Sequence, residues 1–180
     1  CNSGYAAPCI DAINTYYGLP DVPVGIAPTS PGGGGSRYQQ YIAQTYANDI
    51  NSDYYAPSAL EVYRRTLAAA DDNSVVLVVV IVASGLWLGY YAVDSQHQKQ
   101  TYETLAELLQ SPADEISPLT GMELVRQKVK LCSIMAGYFP SGSENNMRFD
   151  AAASIYVESN CPVPILWSGW EIGSKIITGN

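Results

Sequence analysis

The chain has 180 residues, 47% of them hydrophobic, which is enough for one domain with a real core. A net charge of −8 excludes the basic footprint of a nucleic-acid binder. Only 14% of residues are charged and 14 are tyrosine, a neutral, hydroxyl-rich surface that leans towards an extracellular, secreted protein.

The opening CNSGY reads as a loop after the end of a strand, and a start at Cys1 rather than Met reads as a processed or truncated piece. Residues 6–17 form a helix by the spacing of Ile10, Ile13 and Tyr17, with Pro8 in its first turn and Gly18 as its stop. Residues 19–24 read as a short edge-like strand. The segment APTSPGGGGS is a flexible loop; its glycines match no phosphate-binding pattern. Residues 38–46 are helical and 48–56 irregular. A helix follows over 58–70, with Leu60, Val62, Tyr63 and Leu67 towards the core and Glu61, Arg64 and Arg65 outside.

The run SVVLVVVIV at 74–82 is continuous and β-branched, as in a central parallel strand covered on both faces. Residues 75–93 carry no charge, so a membrane span has to be weighed. The valine-rich composition, Ser84-Gly85, Gly89 and the lack of a basic flank favour a sheet and no membrane. Helix 104–110, loop 111–121, helix 122–128 and strand 129–135 follow. A polar turn then leads to a helix capped by Asp150 and a last strand at 163–167. Alternating strands and helices give an α/β fold with a mainly parallel central sheet flanked by helices.

The cysteines are Cys1, Cys9, Cys132 and Cys161. None has CxxC spacing, so zinc is not indicated, and the even count permits disulfides. Cys132 and Cys161 lie in or beside predicted strands, which favours buried free thiols.

The most informative stretch is PSGSENNMRFDAAA, where an acid and two amides, Glu144, Asn145 and Asn146, precede the helix at Asp150. By itself this is a polar loop with a helix cap. Together with AINTYYGLPDVPVG and SPADEISPLTG it resembles the inosine/uridine-preferring nucleoside hydrolase family. There a loop Glu-x-Asn-x-x-x-Asp opens a helix after a strand of the sheet, matched here by Glu144, Asn146 and Asp150. The resemblance implies a Rossmann-like, nucleoside hydrolase-like domain over 1–180, incomplete for want of its first strand and last third. It also implies that Glu144 and Asn146 hold ribose hydroxyls and that Asn2 contacts the substrate.

The implied chemistry is cleavage of a ribonucleoside N-glycosidic bond by a calcium-activated water, through an oxocarbenium-like state. A backbone carbonyl after a central strand would ligate the calcium. Two registers offer Glu103 or Ser84, and the first leaves 83–100 as an insertion. The sequence departs from the family where the metal is held, since it contains no DxDxxxDD. No catalytic residue is therefore assigned. Asp71-Asp72 reads as a solvated helix end and His97 as a surface residue. No GxSxG is present. A carboxylate pair of Glu144 with Glu171, each near a strand end, is a remote glycosidase alternative. The non-enzymatic alternative is a nucleoside-hydrolase-like scaffold that binds a partner or self-assembles as a homo-oligomer through an unpaired sheet edge.

Overall fold

The structure, a computed structural model, describes residues 4–27, 37–80, 100–144, 147–148 and 151–176. The chain forms two compact units, Cys1–Tyr63 and Arg64–Asn180.

In the first unit, α1 (Ala6–Tyr16) has no cap from its neighbouring residue. Its first-turn amide at Ala7 instead donates to the carboxylate of Asp53, 2.8 Å away, in a 3-10 turn at Asp53–Tyr55. This is helix capping by a residue remote in sequence. Buried Asp11 of α1 accepts from the amide of Asp49 at 2.6 Å, so two acids tie the helix to one segment. Gly18, at φ +78°, ends α1 in the left-handed conformation that glycine adopts without strain. The second helix, α2 (Arg37–Thr45), packs on α1.

The strand expected at 19–24 does not form. Pro20 and Pro23 lack amide donors, and a ladder cannot run through them. Ile26 makes a single bridge with Ser58 just before α3 (Ala59–Ala69).

The second unit holds a three-stranded parallel sheet in the order β1 (Val75–Val80), β2 (Val129–Met135) and β3 (Ile165–Trp167). Around it lie α4 (Gln100–Gln110), α5 (Gly121–Lys128), α6 (Ala151–Asn160) and the one-turn α7 (Trp170–Gly173). The fold class is therefore α/β, a parallel sheet flanked by helices, as the sequence indicates. Among the described residues no helix is long and apolar enough to cross a membrane. The charge-free run instead begins as β1.

Register sorts the sheet into two faces. Leu77 and Val79 pair with Cys132 and Ile134, and all four are buried. Leu105, Leu108, Leu124, Val125 and Val157 of α4, α5 and α6 complete this core. On the opposite face Val76 pairs with Leu131, Val78 with Ser133, and Ser133 with Leu166. Here Val76, Val78 and Leu166 are 43%, 61% and 54% exposed. The continuous apolar run thus does not mean burial on both sides.

Arg64 does not point outwards; it is 1% exposed. It stands at i+4 from Leu60 and i−3 from Leu67, on the inward face of α3, so position outweighs residue type. Its Nε and Nη2 donate to the two carboxylate oxygens of Asp114 at 2.7 and 2.8 Å. Nη1 donates to Ser111 Oγ at 2.8 Å, and Nη2 also donates to the carbonyl of Leu119 at 2.9 Å. Asp114 in turn accepts from the amides of Ile116 and Ser117. The loop SPADEISPLTG is folded around this side chain.

That loop ends in a capping box. Thr120 Oγ1 accepts from the amide of Glu123, and Glu123 Oε2 accepts from the amide of Thr120 at 2.8 Å. Arg126 and Lys128 lie at the other end of α5, where a cation complements the helix dipole. Gly121 sits against α4: a Cβ there would collide with the carbonyl of Leu108 and with Ser111 Oγ.

Replacing Arg64 by Met removes every donor of this network while keeping bulk. We expect a loss of about 3 kcal/mol in urea unfolding, because the partners of a buried ion are left unanswered. Arg64 beside it holds the Asp114 carboxyl below the usual carboxylate range. A depressed carboxylate contributes stability above its unfolded pKa, near 4, and loses it as pH falls through the lower folded value. Wild type should therefore lose stability below about pH 4 more steeply than Arg64→Met. Identical acid limbs would show that the pair contributes nothing.

Candidate functional site

In open parallel sheets, ligands are bound beyond the C-terminal ends of the strands. Here β2 and β3 end side by side, and their continuations are stitched together. Ser168 N donates to the carbonyl of Ile134 at 2.8 Å, and Trp170 N to that of Gly137 at 2.9 Å.

Two carboxylates hold the turn that follows β2. Glu144 Oε2 accepts from the amides of Gly137 and Met147, each at 3.3 Å. Glu171 Oε2, from α7, accepts from the amide of Phe139 at 3.0 Å. Both acids therefore bind amides two residues apart in one turn. The Phe139 ring lies 6.2 Å from that of Trp167, and Tyr138, Phe139 and Trp170 are substantially exposed. The result is an acceptor-rich turn with an aromatic rim at the strand ends. Such a surface can accept hydroxyl protons and pack against a flat ring.

The positions implied by the family resemblance fare differently. Glu144 stands at this turn. Asn2, Asn146, Asp150, Ser84 and His97 lie outside the described residues, as do positions 83–99 of the expected insertion. Glu103 lies inside α4, where a backbone carbonyl belongs to the helix's own ladder. Asp72 bonds Lys128 at 2.7 Å and Gln127, consistent with a solvated helix end.

Calcium takes six to eight oxygen ligands. Among the described residues no three His, Cys, Asp or Glu side chains gather as a metal group. The buried carboxylate oxygen without a hydrogen-bond partner, Asp53 Oδ2, has no such set around it.

A concavity lies in the first unit, a groove of about 420 Å³ lined by residues of α1 and α2 and their ends. Tyr16, Tyr17, Tyr38, Tyr41 and Tyr46 line it, with Tyr16 and Tyr46 edge to face at 6.0 Å. Sequence reasoning missed it. Its signal was present in the spacing of Ile13, Tyr16 and Tyr17, and of Tyr38 and Tyr41, which puts each set on one helical face.

Glu144→Ala should release the turn without unfolding the sheet. The expected cost is about 1–2 kcal/mol. Hydrogen exchange should speed up at the amides of Gly137 and Met147 and stay unchanged in β2. Unaltered exchange at both amides would mean that the carboxylate does not hold them.

Comparison with protein-family models, with curated proteins and with solved structures gave no match.

Proposed function

We propose that this chain is a nucleoside-hydrolase-like protein that holds a ribonucleoside beyond the C-terminal ends of β2 and β3. The observation that carries this reading is the position of Glu144, on the turn after a parallel strand and anchored by two backbone amides. In this reading Glu144 and Asn146 take the ribose hydroxyls, and the aromatic rim gives the base a flat surface. Anchoring matters, since a carboxylate held by the backbone needs less ordering when the ligand arrives.

Cleavage by a calcium-activated water needs acidic ligands that the described residues do not gather. The sequence also contains no DxDxxxDD, the cluster that holds the metal in the family it resembles, so the reading is binding without turnover. Inosine and uridine should bind by calorimetry or ligand-observed NMR, and their 2′,3′-dideoxy analogues at least tenfold more weakly. Asn146→Ala should weaken binding similarly. With calcium added, no ribose should be released above background. Equal binding of the dideoxy analogues would sink the assignment of the ribose contacts, and ribose release would sink the non-catalytic reading.

The open sheet face favours a second reading, self-association. Among the described residues β1 is an edge strand, paired only with β2, and Val76, Val78 and, across β2, Leu166 are apolar and exposed. Edges of this kind template pairing with a second copy. Sedimentation should reveal a concentration-dependent oligomer that Val78→Arg disperses. A monomer at every concentration would exclude it.

A further inference from the structure

Cys132 sits in the middle of β2 and is fully buried. Cys161 is the first residue after α6 and is half-buried. Although 29 positions apart, their thiols hydrogen-bond to each other, Sγ to Sγ 3.8 Å. Both are presented by ordered backbone: Cys132 N donates to the carbonyl of Pro164 at 3.0 Å, and Cys161 N to that of Val157 at 2.9 Å. Two sulfurs in contact, one buried and one reachable from solvent, form an asymmetric pair suited to oxidation.

We propose that Cys132 and Cys161 are a reversible two-electron redox pair, converted to a disulfide by a hydroperoxide. This stands independently of the ribonucleoside reading. Cys161 is the attacking thiol, because it is the more accessible. Its hydrogen bond with Cys132 and the nearby amide of Val163 hold its pKa below the ordinary thiol range, which favours the thiolate. The same hydrogen bond, and then burial, push the Cys132 thiol up, so it stays protonated until needed.

The reaction balances in two steps. The Cys161 thiolate attacks one peroxide oxygen, an S–O bond forms and the O–O bond breaks. With hydrogen peroxide, the departing hydroxide takes up the proton released from Cys161 and leaves as water. Cys132 then attacks the Cys161 sulfenic sulfur. The S–S bond forms, the S–O bond breaks, and hydroxide leaves as a second water with the Cys132 proton. Two thiols lose two electrons and one peroxide gains them.

The bond would close a covalent loop around the Glu144 turn and all of α6. Cross-linking positions so far apart restricts the unfolded chain, so the oxidised protein should melt higher. The test uses the full chain, treated with stoichiometric hydrogen peroxide, alkylated and mapped by mass spectrometry. A Cys132–Cys161 peptide lighter by two hydrogens should dominate. The melting temperature should rise by roughly 5 °C or more and return with dithiothreitol. In Cys132→Ser, dimedone should trap a sulfenic acid at Cys161; in Cys161→Ser, it should trap none at Cys132. Full alkylation of both thiols after peroxide, or linkage of either to Cys1 or Cys9, would overturn the proposal. The wild-type map decides the matter even if a serine variant does not fold.

Discussion

A guanidinium cannot shed its charge, so burying one obliges the surroundings to supply acceptors on every side. Arg64 imposes that obligation on the second unit. Its acceptors come from Ser111, Asp114 and Leu119, all in one loop without regular structure. The loop is therefore wrapped around this side chain, and the conformation it takes delivers Thr120 to cap α5 and Gly121 to meet the end of α4. Since α5 runs directly into β2, the placement of the central strand follows from how one cation is satisfied. The exposed ion pair of Lys128 with Asp72 carries no comparable weight, because water screens it.

The strand ends show the converse arrangement. There the backbone is the donor and acidic side chains are the acceptors. Glu144 and Glu171 satisfy amides that would otherwise be orphaned where the ladder stops. Their structural duty and a ligand-binding role are compatible, because a carboxylate offers more acceptor positions than one amide uses. Amides also orient it, and a site made of oriented acceptors binds with less entropic cost.

Much of this was legible from the sequence, for identifiable reasons. The strand 129–135 has the same limits in structure and sequence, because Lys128 ends a helical pattern and an alternating one begins. The helices read at 6–17 and 122–128 stand at Ala6–Tyr16 and Gly121–Lys128, the first legible from the recurrence of Ile10, Ile13 and Tyr17. Arg64 was misread because charge suggested solvent, while its spacing from Leu60 and Leu67 placed it inside. The strand at 19–24 failed because two prolines outweighed its apolar residues. The exposed face of β1 was hidden for another reason: an unbroken valine run carries no alternation to say which side is covered. Glu171 could be noted from sequence only as one of two acids near strand ends. That both reach the same turn is a fact of strand order, which no local pattern contains.

The close fit at Gly121 has a mechanical consequence. With no room for even a methyl group between α5 and the end of α4, the two helices cannot slide past each other without losing contact. They form a single plate, and α4 extends it by packing on α6. Opening of the second unit must then begin where backbone is tied by side chains rather than clamped by helices. The turn from Gly137 to Glu144, tied by the carboxylates of Glu144 and Glu171, meets that description.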